Sequence, residues 1–363
     1  MKTPLFDRHV ALGARLAPFA GWDMPIQYTG ILPEHAATRT GAAIFDICHM
    51  GEFELRGPTA EADLERLLTQ RVSAIKLGQA KYGYLLRDDG GVLDDLTCYR
   101  LGPEHFYLVV NAGTRAGDAD WIKQHLSPST VFEDVSDATA KLDIQGPGSR
   151  AAIEKVIGAK LPDLKYFFAC ETELLGTPTL LSRTGYTGEW GYELYFPWAE
   201  AVRFWDAFTA GGEIVPAGLG CRDTLRLEVG YPLYGHELDE TRSPVACARG
   251  QFVDLTKPFI GQAACARDAA QGCPRYLAGL QLESKRAART HDKVLAGADE
   301  VGEVTSGSLA PSLGYAVALA YLDAAQARPG NQLEIAVSGG KRLPATVVEL
   351  PFYKQGTARK PAT

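Results

Sequence analysis

Residues 90–100 read GGVLDDLTCYR. A diglycine turn opens a run of β-prone residues, and two adjacent aspartates sit inside that run. With KYGYLL (81–86) and RDDGG before it and FYLVVNAG (106–113) after it, the stretch reads as the middle of an antiparallel meander. Strand interiors disfavour Asp, and a buried carboxylate is costly unless something compensates it. Neighbouring strand residues point to opposite faces. Asp95 therefore shares a face with Leu93, Thr97 and Tyr99, and Asp94 shares one with Val92, Leu96 and Cys98. Two uses of the pair stay open. The commoner one is that acids following a glycine turn accept backbone amides. The other is that one acid, with a tyrosine four residues on, faces a cleft and grips a polar ring.

Working outward, short strands alternate with isolated helices, which is an α+β pattern. TAEADLERLLT (59–69) places Leu64, Leu67 and Leu68 on one helical stripe behind a Thr59 cap. TRAGDADWIKQHL, the end of TAKLDIQGPGSRAAIEKVIG, PWAEAVRFWDAFTAGG and LGCRDTLRLEVG read as helices. PTLLSRTGYTGEWGYELYFP reads as a hairpin with its tip at Gly185–Gly191. After residue 275, RYLAGLQLES, GYAVALAYL, NQLEIAVS and LPATVVELPF predict a terminal all-β domain or barrel. The tail GTARKPAT is small and polar and is expected to fray.

The chain has 363 residues, 46% hydrophobic and 22% charged, enough for two or three domains. A net charge of -7 gives no electrostatic support for nucleic-acid binding. Its seven cysteines are scattered and form no CxxC, which predicts reduced thiols in a cytoplasmic setting. The seven histidines show no ligand spacing, so no metal is expected. No stretch reaches the roughly 18 apolar residues of a membrane helix, and no signal-peptide pattern opens the chain.

Other polar constellations carry two readings each. RTGYTGEWGYEL presents Arg183, Tyr186, Glu189, Trp190, Tyr192 and Glu193, either as a plain aromatic hairpin or as a polar grip. Arg222 and Arg226 lie at i and i+4, either as a solvated pair or as a clamp for carboxylates. LDIQGPGSRA contains a G-x-G-x-x-A, but no parallel strand series surrounds it, which argues against a dinucleotide site. His49, inside FDICHMGEF, reads as a core or hydrogen-bonded histidine.

Together these pieces resemble one family, the T-protein of the glycine cleavage system, a tetrahydrofolate-dependent aminomethyltransferase. The likeness runs from TPLFDRHVALGARLAPFAGWDMPIQY through EHAATR, FDICHMGEFELRGP, GGVLDDL, YLVVNA, IQGP and SRTGYTGEWGYEL. It continues through AGLGCRDTLRLEVGYPLYGHELDETRSP, FIGQAA and GEVTSG to LPFYK. The resemblance implies a three-domain cloverleaf around a central folate channel, with largely antiparallel sheets and a C-terminal β-barrel. The implied domains are 1–48 with 137–240, then 49–136 with about 241–274, then 275–363.

The resemblance also implies roles. Asp95 would be the catalytic acid beside folate N10 and the incoming lipoyl arm. Met50, Tyr82, Tyr99, Val110, Asn111, Tyr186, Glu193, Arg222 and Arg226 would line the folate pocket. The co-substrate would be tetrahydrofolate. The partner would be lipoylated H-protein, with glycine decarboxylase and dihydrolipoamide dehydrogenase as indirect partners. Two departures stand out. AVSGGKR lacks an arginine the family often has, with Lys341 and Arg342 nearby as substitutes, and ARGQF replaces a frequent LGW, removing an aromatic. Two rival enzymatic and binding roles share the folate-binding fold: a folate-dependent demethylase and a folate-binding iron–sulfur maintenance protein. The latter's cysteine signature is absent from KPFIGQ (257–262).

Overall fold

The structure, a computed structural model, describes residues 1–360. Three sheets dominate it. The first joins Ala169–Leu174, Thr177–Ser182, Gly191–Pro197, Thr139–Gln145, Ala42–Asp46 and Ile214–Pro216, in that order. Only its last pair is parallel. The second joins Ala80–Leu86, Val92–Gly102, His105–Val110, Gly51–Arg56 and Val131–Asp134. The third is a closed six-stranded barrel of Arg275–Leu282, Tyr315–Asp323, Asp299–Ala310, Lys293–Ala296, Gln332–Val337 and Lys341–Val348. The chain leaves the first sheet after Asp46, builds the second, and returns at Thr139.

Period-two alternation explains how the layers stack. In Thr139–Gln145, Ala140, Leu142 and Ile144 pack with Phe204, Trp205 and Phe208 of the Ala201–Thr209 helix. Lys141, Asp143 and Gln145 therefore occupy the opposite face. In the second sheet, Leu96, Cys98, Leu108 and Val110 pack on Leu64 and Leu67 of one helix and Ile122 of another. Its other face brings Tyr99, Tyr107 and Val109 against Tyr195 of the first sheet. The barrel fills its interior with Leu280, Val304, Ala318, Ala320 and Ile335. It turns Val317, Leu319 and Tyr321 outward onto Tyr84, Leu86 and Val92.

Several local expectations change. Thr59 makes no capping bond; its hydroxyl meets the Thr130 hydroxyl at 2.7 Å, where a buried partner outcompetes the helix end. The tail is pinned as far as Lys360. Arg183 donates to the carbonyls of Ala358 and Lys360 at 3.0 and 2.8 Å, and Thr357 donates to Glu189. Arg183 and Glu189 are buried, so their charges hold the tail in place. Residues 361–363 of that stretch lie outside the described part. The IQGPGSR turn serves close packing. A Cβ at Gly146 would sit 2.2 Å from the Gly41 carbonyl, and the preceding strand pairs antiparallel on both sides. All seven cysteines are free thiols. No helix among the described residues is long and apolar enough to cross a membrane.

Candidate active site

The three sheets and the Arg15–Phe19/Trp22–Gln27 hairpin surround a cavity of about 1460 Å³. The GGVLDD segment aims at it. Gly90 takes φ +88 in the turn, and a Cβ on Gly91 would lie 2.0 Å from the Glu240 carbonyl oxygen. Both glycines are thus required by backbone geometry. After the turn the two aspartates part, as strand geometry dictates. Asp94 is fully buried, whereas Asp95 is half-buried on the cavity wall.

Asp94 follows the first reading; Asp95 faces the cavity, but the tyrosine beside it is Tyr82 of the neighbouring strand and not Tyr99. Asp94 accepts the backbone N–H of Asn111 at 2.9 Å and its side-chain amide at 2.8 Å. Asp95 accepts the Tyr82 hydroxyl at 2.9 Å and the same Asn111 amide at 3.0 Å. Burial, then the neighbouring Asp94, push the Asp95 carboxyl up to about 7. Burial and Asp95 raise the Tyr82 phenol well above its ordinary value, so Tyr82 remains a donor.

Across the cavity, Glu193 meets the Lys141 ammonium at 3.3 Å and accepts from the Thr184 and Tyr195 hydroxyls. Burial opposes its charge, but Lys141, Thr184 and Arg222 outweigh it and hold the carboxyl below its ordinary range. Arg222 donates to Asp143 at 2.6 Å and lies 4.9 Å over the Tyr186 ring. Burial raises Asp143 to about 6 in spite of that ion pair. Met50 lines the wall with its sulfur 3.6 Å from the Lys141 nitrogen.

Met50, Tyr82, Asp95, Asn111, Tyr186, Glu193, Arg222 and Arg226 all border the one cavity. Tyr99 and Val110 do not. Tyr99 is buried behind the wall, its hydroxyl among Ser182, Thr184 and Tyr195. Val110 points into the helix-covered core, and its neighbour Val109 faces the cavity instead. Arg226 is saturated. It binds Asp223, Glu237 at 3.0 Å, the Tyr231 carbonyl and the barrel's Ser306 at 2.7 Å. Arg222 is the more available of the two, with its side chain 14% exposed. Glu189 and Trp190 serve structure, paired with Arg39 and covered by Arg183.

The two departures resolve differently. Lys341 and Arg342 do not border the cavity, and Arg342 pairs with Glu334 on the barrel. Arg249, Arg289 and Arg359 border it. The aromatic missing from ARGQF is supplied within the same segment by Phe252, which meets Tyr82 edge-on at 4.8 Å.

Other polar residues at or beside the cavity escaped the sequence reading. Lys141, Asp143 and Gln145 form a polar stripe at every second position of TAKLDIQ, a legible signal for a strand face turned toward a site. His49 also borders the cavity, edge-on to Phe19, with Nδ1 buried and unpartnered. Burial lowers its ring to about 4, so it is a neutral imidazole near neutrality.

Comparison with known proteins agrees with this layout. Residues 5–257 match the GCVT N-terminal domain, and residues 275–354 match the glycine cleavage T-protein C-terminal barrel domain. A protein of Saccharopolyspora erythraea named aminomethyltransferase is 42% identical, covering 98% of both chains. One of Halothermothrix orenii with the same name is 41% identical, over 97% of this chain and 99% of its own. The crystal structure of glycine cleavage system aminomethyltransferase T from Bartonella henselae superposes with a TM-score of 0.93 at 30% identity, covering 98% of this chain and 99% of that one. The chain belongs to the glycine cleavage T-protein family of aminomethyltransferases.

Proposed function

We propose that this enzyme takes an aminomethyl group from the lipoyl arm of a partner H-protein and delivers its carbon to tetrahydrofolate. The products are 5,10-methylenetetrahydrofolate, ammonia and the dihydrolipoyl arm. Overall, the carbon's bonds to sulfur and nitrogen break and bonds to folate N5 and N10 form. The two protons from N5 and N10 end on the arm's sulfur and on ammonia.

The residues present suit such a co-substrate. Glu193, kept ionised, can accept adjacent N–H donors of a pteridine in parallel. Tyr82, Tyr186 and Phe252 offer aromatic surface for flat rings. Arg249, Arg289 and Arg359 offer guanidinium groups for tail carboxylates. The cavity exceeds the roughly 300–1,000 Å³ of an ordinary ligand pocket, which suits two reactants meeting inside it.

The observation that carries the reading is the Asp95 carboxylate, held at the wall by two donors and turned toward that space. As an anion it stabilises positive charge developing on the transferring nitrogen and orients the accepting amine. Tyr82 and Asn111 fix its direction, so positioning is set before reactants arrive. The test is ammonia release from aminomethylated H-protein with and without tetrahydrofolate. Release should be fast only with the folate. Equal rates in both, or no release in either, reject the proposal.

A further inference from the structure

Lys141 and Glu193 set a donor beside an acceptor on the cavity wall. The strand register puts them there. In the antiparallel ladder Lys141 lies opposite Tyr195 and Asp143 opposite Glu193, so Lys141 and Glu193 are diagonal neighbours on one sheet face. Both are buried, Lys141 at 1% exposed and Glu193 at 8%.

Their contacts leave each of them with unused hydrogen-bonding capacity. Glu193 Oε2 already accepts the Thr184 and Tyr195 hydroxyls, so Oε1 is the oxygen with room for a ligand. The Lys141 ammonium has three N–H donors. It meets Oε1 at 3.3 Å and the Met50 sulfur, a weak acceptor, at 3.6 Å. Among the described residues its third N–H meets no oxygen; the Tyr195 ring centre lies 4.9 Å away. Asp143, two residues along the same face, is taken up by Arg222 and Gln145, each at 2.6 Å.

An acceptor and a donor 3.3 Å apart suit a cyclic amide edge, in which an N–H stands next to a C=O. A pteridine carries that edge at N3–H and C4=O. Resting on the reading of tetrahydrofolate as the co-substrate, we propose that Lys141 is a specificity-determining residue that donates to the 4-oxo oxygen while Glu193 Oε1 accepts from the N3–H beside it. The pair selects a 4-oxopteridine and rejects a 4-aminopteridine. The latter has no proton on N3 for Glu193, and its 4-amino group turns donors toward the ammonium. The other role open to Lys141 is that of a counter-ion, which steadies buried Glu193 and is indifferent to the group at C4.

The experiment measures equilibrium binding of two probes to the full chain, without oxygen and at alkaline pH so that Glu193 stays ionised throughout. The probes are tetrahydrofolate enriched with ¹³C at C4 and its 4-amino-4-deoxy analogue. Infrared difference spectra of the tetrahydrofolate complexes locate the C4=O band by its isotope shift. Wild type should prefer tetrahydrofolate by roughly 100-fold or more. Lys141→Met keeps the side chain's length and removes its donors. It should weaken tetrahydrofolate roughly 10- to 100-fold, the worth of a hydrogen bond to a charged group, and leave the analogue within about threefold. The C4=O band should move to higher frequency in the variant. An unmoved band, or equal weakening of both probes, overturns the proposal and makes Lys141 a counter-ion, with the folate reading intact. Failure of the wild type to bind tetrahydrofolate rejects the folate reading, and the proposal falls with it. If Lys141→Met does not fold, the wild type decides alone: equal affinity for the two probes overturns the proposal, and the stated preference supports it.

Discussion

At the scale of single residues, the site depends on two adjacent carboxyls given opposite surroundings. Asp94 lies in the layer behind the cavity wall and Asp95 on it, and Asn111 touches both. Asp95→Asn removes the charge while keeping the shape. Turnover should fall by on the order of 10² to 10⁴ with little change in KM, read from steady-state ammonia release. The wild-type rate should fall as pH drops through about 7, because Asp95 must be ionised and its carboxyl is raised to that value. A profile flat from pH 8 to 6 contradicts this. The same shift has a cost in stability. A carboxyl raised on folding favours the native state below its ordinary value of 3.8, and that contribution is lost as pH rises to about 7. Asp95→Asn should therefore be more stable than wild type at pH 8, by roughly 2 kcal/mol, and show no gain at pH 4. Urea melts at the two pH values provide the check.

At the scale of elements, the turn before the aspartates determines where they point. Gly91 is hemmed in by the Glu240 carbonyl oxygen, 2.0 Å from where a Cβ would sit. Gly91→Ala should cost roughly 2–4 kcal/mol in a urea melt and lower turnover as well, since the strand carrying Asp95 begins one residue later. Gly297, at φ +67 with nothing within 4 Å, should lose only about 1 kcal/mol as Ala, with turnover intact. Alternation and turn residues made the central meander, the Gly-tipped hairpin and four of the barrel's strands readable in the sequence. Helix Ile31–Thr40 was not readable, because it buries Glu34, His35 and Thr38 and so shows no apolar stripe. Strands Lys293–Ala296 and Asp299–Ala310 escaped because the first is short and the second is charged and glycine-containing. At the site, Tyr99, which period two groups with Asp95, lies behind the wall, and the tyrosine that bonds Asp95, Tyr82, comes from the neighbouring strand; only the facing of Asp95 itself followed from period two. The one-residue choice between Val109 and Val110 did not, because both are apolar and only the packed sheets show which one meets the cavity.

At the scale of the whole molecule, the cavity exists only while the barrel stays docked on the first sheet's helices, and buried charge makes that joint. Arg39 binds Glu189 at 2.9 Å and Glu228 at 2.8 Å, and it stacks 4.2 Å from the Tyr353 ring. His35 reaches Thr224 at 2.8 Å, Ser312 of the barrel at 2.9 Å and Glu228 at 3.2 Å. Glu228 also accepts the Ser312 backbone N–H. Replacing one partner of such a network leaves opposite charges buried alone, a larger penalty than the loss of the pairing itself. Arg39→Leu strands both Glu189 and Glu228 and should cost roughly 3–5 kcal/mol at pH 8. In the wild type, burial works against Glu228, yet His35 and Arg39 hold its carboxyl below the usual value. Without Arg39 that carboxyl must rise, so acid should relieve the variant by protonating it. The gap in Tm between variant and wild type should therefore narrow as pH falls from 8 to 5. A gap that stays constant over that range would mean that lost packing against Tyr353, and not stranded charge, accounts for the loss.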